Sequence, residues 1–245
     1  MTPTDTLLET AVFGDLSRER IAALLPAVRI LSLARGQLAF AQGDLADALF
    51  VVAEGQLKQF TVGRDGAEFI FTLALPGDLF GQVGVFDPSG RRSASAEAMA
   101  PCRILRIERE PVLEFFTDNP LAMRRMFEHL SVLTRGVGQT LVGVAYEEIR
   151  ARVAQALLQL AVAHSEATGT GLRIPVKLSQ ATLGSIVGAT RENVNRALAS
   201  LLAAGDLSHQ DGYYVVHRRA ALEALSIGQE TQPTRVTQRV PHANG

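Results

Sequence analysis

Leu183-Gly184-Ser185-Ile186-Val187-Gly188-Ala189-Thr190-Arg191-Glu192-Asn193-Val194-Asn195-Arg196 is the stretch on which the fold turns. Ala181, Leu183, Ile186 and Val187 recur at helical spacing up to Gly188, a residue type that adopts positive φ and ends helices without strain. Ser179 is placed to cap this helix, and Thr190 to cap a second one, in which Val194, Ala197, Leu198 and Leu201 share one face. Arg191, Glu192, Asn195 and Arg196 are left on the opposite face, within its first two turns. Two short helices around a glycine turn form a helix-turn-helix, which lays the start of its second helix into the major groove of DNA. An arginine fork fits guanine O6/N7, and a carboxylate accepts from cytosine N4. A helical hairpin with a solvated charged face has the same pattern, so the surrounding chain has to decide.

The chain has 245 residues, room for two domains, with 47% hydrophobic and 20% charged residues, and reads as a soluble globular protein. No apolar run nears the roughly 18 residues of a membrane span. Met1 to Asp15 lacks the basic start and apolar core of a secretory signal. The single cysteine, Cys102, excludes an intrachain disulfide and a four-thiolate cluster, so a cytoplasmic location is expected. A net charge of −1 argues against nonspecific coating of nucleic acid. Residues 170–219 nonetheless carry six cations against three carboxylates, an electrostatic footprint of the sign DNA requires.

Outward from the opening stretch, Leu207 to His217 reads as a hairpin turning at Asp211-Gly212, the wing of a winged helix. A short helix is expected over Arg219–Leu225, then a disordered tail over 228–245. Leu172 to Val176 reads as a short edge strand, with Pro175 barring a central place. From Ile30 to Ile107, short apolar or alternating runs broken by glycines such as Gly43, Gly55, Gly66 and Gly77 predict an antiparallel sandwich or jelly roll. Residues 4–25 predict a helix with Ser17 as an N-cap, 109–117 a short helix, and Glu147–Glu166 a further one.

Between the two halves, residues 120–147 predict a long helix. Met126, Leu130, Leu133, Val137, Leu141 and Val144 follow one another at spacings of 4, 3, 4, 4 and 3, close to a coiled-coil seam. A homodimer is favoured over an intramolecular core helix, because a helix this long beside a self-sufficient β-domain has few other surfaces to cover. Gly136, Gly138 and Gly143 each weaken it by about 1 kcal/mol relative to alanine; they admit close helix approach, a ligand or a hinge.

The order β-roll, long helix, winged helix-turn-helix resembles the Crp–Fnr family of bacterial transcription regulators over residues 20–217. Leu178-Ser179-Gln180 through Val194 is similar to its DNA-reading signature. Leu75-Pro76-Gly77-Asp78-Leu79-Phe80-Gly81-Gln82-Val83-Gly84-Val85-Phe86 followed by Arg92-Ser93-Ala94 is similar to its phosphate-binding cassette. The resemblance implies an α+β chain: a cyclic-nucleotide-binding-like roll over 1–118, a double-stranded β-helix, then a dimerisation helix over 119–147 and a winged helix over 148–227. It places base contacts on Arg191, Glu192 and Arg196, with Asn195, Thr190, Ser179 and Gln180 beside them. It places ligand contacts on Gly81, Gln82, Arg92, Ser93 and Thr72, and on Val137, Gln139 and Thr140 of the long helix. Backbone N–H groups of a glycine turn and a bidentate arginine are suited to a phosphate.

A cyclic nucleotide, cyclic AMP or cyclic GMP, is the implied effector; double-stranded DNA with TGTGA-like inverted half-sites and RNA polymerase are the implied partners. Two departures stand out. Gln82 occupies the place of a ribose-binding glutamate, and Val137 and Gly138 replace a Thr-Ser pair that reads adenine. An effector-independent regulator with a vestigial pocket is therefore an alternative. A metal-dependent jelly-roll enzyme needs histidines inside the roll, and all five (His129, His164, His209, His217, His242) lie after it. No metal site, catalytic residue or membrane partner is expected.

Overall fold

The computed structural model describes residues 1–226; the expected tail lies outside them. In chain order the elements are α1 Pro3–Leu8, α2 Arg18–Leu24, β1 Val28–Leu33, β2 Leu38–Phe40, β3 Ala48–Glu54, β4 Leu57–Val62, β5 Glu68–Ala74, β6 Leu79–Phe80, α3 Gln82–Phe86, β7 Ser95–Ala98 and β8 Cys102–Glu108. Then follow α4 Arg109–Asp118, α5 Pro120–Tyr146, α6 Ile149–His164, β9 Glu166–Thr168, β10 Gly171–Arg173, α7 Gln180–Val187, α8 Arg191–Ala203, β11 Leu207–Gln210, β12 Tyr213–Val216 and α9 Arg219–Ser226.

Strands β1-β8-β3-β6 form one antiparallel sheet of the roll and β2-β7-β4-β5 the other. Strand β3 explains why Ala48–Val52 is an unbroken apolar run: both of its faces are covered. Phe50 and Val52 point between the sheets toward Phe40, Leu57, Phe80 and Ile104. Leu49 and Val51 alternate outward, into a cluster with Leu7, Phe13, Ile21, Phe116 and Met126 from the helices. The expected N-terminal helix is two pieces. Thr10 turns its hydroxyl to the Leu7 carbonyl and the Phe13 N–H, and Ser17 caps α2 afresh. Gly14 completes the break, since a Cβ there would lie 2.8 Å from the Thr10 carbonyl oxygen.

The long helix divides the expected seam. Met126 is 1% exposed and is spent inside the roll's own helical cluster, with Leu130 packed against it. Val137, Leu141 and Val144 are 43%, 62% and 44% exposed, so the apolar stripe of the lower half is uncovered. The next helix, α6, starts after an extended turn at Glu147 and Glu148.

The winged helix does not stand apart. Phe60, Ile70, Leu73 and Leu75 of the roll belong to one buried cluster with Val153, Leu157, Leu183, Val187 and Leu198. His164 Nε2 lies 3.3 Å from Asp78 Oδ2 across the same boundary. Burial pushes the Asp78 carboxyl up, against the opposing pull of His164. In the small sheet the order is β11-β12-β10-β9. Strand β10 is thus internal, paired with β12 and β9. The expectation of an edge strand fails because the strand ends at Arg173, two residues before the proline that would have disrupted it.

Candidate nucleic-acid interface and effector site

The helix-turn-helix is built by local chemistry. Ser179 caps α7 through the Thr182 N–H at 3.0 Å. Gly188 ends the helix at φ 62°, in the left-handed region where a side chain would be strained. Thr190 then caps α8 through the Asn193 N–H at 3.4 Å. Val194, Ala197, Leu198 and Leu201 are buried, which turns Arg191, Glu192, Asn195 and Arg196 to the exposed side. Gln180 donates to Asn195 Oδ1 at 2.8 Å, linking the two helices across that face, and Arg196 donates to Asn193.

The wing turns at Asp211 (φ 53°) and Gly212 (φ 86°), the paired positive values of a tight hairpin. Behind it, the Arg173 guanidinium stacks 3.8 Å from the Tyr213 ring centre. A groove of about 580 Å³ runs between helices and wing, lined by Gln180, Arg191, Asn195, His209 and Tyr214. His209 lies 4.5 Å from Tyr214, centre to centre. The sequence places His209 and Tyr214 in the wing hairpin, and no local signal marks them as lining this groove.

The roll's candidate ligand residues fall into two groups. Gly81 (φ 79°), Gln82 and Arg92 are buried together. Arg92 donates to the Gly81 carbonyl at 3.0 Å and the Ala48 carbonyl at 2.7 Å, with Asp47 at 3.5 Å. Its guanidinium lies 4.3 and 5.2 Å from the Phe40 and Phe50 ring centres. Burial lowers its pKa to about 10, so it stays charged at neutral pH. Among the described residues, Arg92 Nε and Gln82 Oε1 are buried without a hydrogen-bond partner. Gln82 Nε2 instead meets His129 Nε2 of α5 at 3.5 Å, a contact the sequence reading missed.

Thr72 is half-buried on β5, and Ser93 is exposed beside Arg92. Gln139 and Thr140 are engaged elsewhere. Thr140 donates to the Gly136 carbonyl of its own helix, and Gln139 accepts from Gln159 of α6. Val137 stands exposed on the stripe.

Residues 30–119 match the cyclic nucleotide-binding domain family, and residues 151–225 the Crp-like helix-turn-helix domain. The chain is 30% identical over 201 residues to the CRP-like cAMP-activated global transcriptional regulator of Mycobacterium tuberculosis, covering 82% of this chain and 89% of that protein. It is 31% identical over 217 residues to the cyclic AMP receptor protein of Thermus thermophilus, covering 89% and 97%. The crystal structure of the Thermus thermophilus catabolite activator protein superposes with a TM-score of 0.51 over 89% of this chain and 99% of its own, at 31% identity. FixK2 from Bradyrhizobium japonicum, 20% identical, shares the fold at a TM-score of 0.73 over 82% and 98%. No helix among the described residues is long and apolar enough to cross a membrane, and no cluster of metal-ligating side chains occurs among them. With a cyclic nucleotide-binding roll and a DNA-binding helix-turn-helix joined by a long helix, the chain belongs to the Crp family of transcription regulators.

Proposed function

We propose that the protein is a cytoplasmic homodimeric regulator that reads a palindromic DNA site and passes an effector signal from roll to winged helix. One observation carries the DNA reading: the buried face of α8 forces Arg191, Glu192, Asn195 and Arg196 outward together beside the wing. Two such helices one DNA turn apart, about 34 Å, read inverted half-sites. Arg191 and Arg196 take guanines and Glu192 takes a cytosine in TGTGA-like halves, with Ser179, Gln180 and Thr190 positioning the helix on the backbone. Promoter-bound RNA polymerase is the further partner. Arg191→Ala is expected to lower affinity for the inverted-repeat duplex by about 1–3 kcal/mol and leave scrambled DNA nearly unaffected. Fluorescence anisotropy measures both, and equal losses on the two duplexes would remove Arg191 from base reading.

For the effector, the donors and acceptors suit a small anionic ligand with hydroxyl groups. Arg92 keeps a positive charge inside the roll, and Gln82 Oε1 is a bare buried acceptor that a ribose hydroxyl would satisfy. The ligand is a cyclic nucleotide, cyclic AMP, which the names of the relatives carry, or cyclic GMP. Its binding shifts the population of winged-helix placements, by as much as its preference for one placement over the other. Val137, Gln139 and Thr140 reach it only if α5 brings them in from a second copy.

A specific observation favours the effector-independent reading as well. Both terminal nitrogens of Arg92 already serve backbone carbonyls, and two phenyl rings pack against the guanidinium. Calorimetry with each nucleotide, beside DNA affinity with and without it, separates the two readings. DNA affinity that responds to neither nucleotide supports the vestigial pocket.

A further inference from the structure

Gln82 is 3% exposed, and its amide has two ends with different fates. The Nε2 end meets His129 Nε2 at 3.5 Å; the Oε1 end has no hydrogen-bond partner among the described residues. In this orientation the amide NH₂ donates, and His129 Nε2 accepts with a lone pair. The imidazole is then neutral, with its proton on Nδ1. A proton arriving on Nε2 turns that acceptor into a donor, and two donors cannot pair. The terminal amide torsion of glutamine is broad and roughly two-fold. Half a turn therefore gives Oε1 to the imidazolium and puts the NH₂ where Oε1 had been. The site keeps its shape and exchanges an acceptor for a donor.

We infer that His129 is a positioning residue whose protonation state decides whether Gln82 offers an acceptor or a donor to the effector. This rests on the effector-site reading of Gln82 above. Its position on α5 also links the state of that site to the helix that carries the exposed apolar stripe. Charged neighbours do not take over the imidazole. On α5, Arg125 is paired with Asp15 and Glu128, and Arg124 with Glu128. From α3 the polar group in contact is Gln82 itself. Burial holds the imidazole below its ordinary value, so the neutral state prevails at neutral pH and the exchange falls on the acid side.

Nitrogen-detected NMR of the full chain tests the contact without any ligand. At about pH 7.5 the account predicts a bare Nε2 on His129; an Nε2–H tautomer overturns it. Gln82→Glu presents only acceptors and a charge, so the His129 pKa should rise by about one to three units. An unchanged titration in a folded Gln82→Glu protein also overturns it. Calorimetry with cyclic AMP and its 2′-deoxy-2′-fluoro analogue then reads what Gln82 presents, because a hydroxyl both donates and accepts whereas fluorine cannot donate. The hydroxyl-bearing ligand should bind about tenfold more tightly near pH 7.5, where Gln82 offers an acceptor, and this preference should narrow once His129 is protonated and Gln82 offers a donor to either ligand. In His129→Asn the preference should no longer follow pH. A wild-type preference that ignores pH contradicts the inference. If neither nucleotide binds while His129 titration follows residue 82, the proton link stands and the cyclic-nucleotide reading of the site falls.

Discussion

Placing aspartates at Val137 and Leu141 together is expected to convert the proposed dimer to monomers and to lower affinity for the inverted repeat by about 10²–10⁴-fold. The magnitude follows from linkage. In a dimer the second half-site is engaged at the high effective concentration set by the first; a monomer has no such tether. The positions follow from the division of α5. Met126 is buried in its own roll, and replacing it would damage that core. Val137 and Leu141 are 43% and 62% exposed, so charges there meet water in the monomer. They meet a partner helix only in a dimer, where burying an unpaired carboxylate is costly. Sedimentation measures the mass and anisotropy the DNA affinity. A double variant that stays dimeric removes the seam from this stripe.

Arg92→Ala is expected to destabilise the roll by about 1–3 kcal/mol for each of the two carbonyls it strands, those of Gly81 and Ala48. The packing of the guanidinium against Phe40 and Phe50 would be lost as well. Thermal unfolding measures the loss, at roughly 2–4 °C per kcal/mol for a chain of this size. Arg92→Lys keeps the charge but not the planar fork, so it should recover only part of that stability. An unchanged melting temperature in Arg92→Ala would mean that Arg92 does not brace the roll. This bracing bears on the proposed effector site, because a phosphate bound there would draw on a group already holding two strands' ends together.

The helix-turn-helix was legible because its signals are local. Ser179, Gly188 and Thr190 each act within four residues of themselves, and the caps appear where those residue types predict. The strands of the roll were legible for a similar reason, since glycines punctuate them. The unbroken run at Ala48–Val52 identified a strand without revealing that both faces are covered. Four features were not legible. The N-terminal helix breaks because Thr10 and Gly14 favour a turn that apolar periodicity does not register. The heptad-like spacing of α5 could not say which chain would fill the seam, and Met126 turned out to serve the roll. Gln82 and His129 are 47 residues apart, and nothing local announces their pairing. The cluster joining Phe60, Ile70 and Leu73 to Leu183 and Val187 is equally nonlocal: each element reads as amphipathic, and only the fold says what it faces.

The most direct test of the account is the affinity of the wild-type chain for a duplex with two inverted TGTGA half-sites, measured beside a scrambled duplex at the same salt concentration and with cyclic AMP or cyclic GMP added in turn. The account predicts binding at two protomers per duplex and a preference for the repeat of about 10³-fold or more in at least one of these conditions. Equal affinity for the two duplexes in every condition would contradict it.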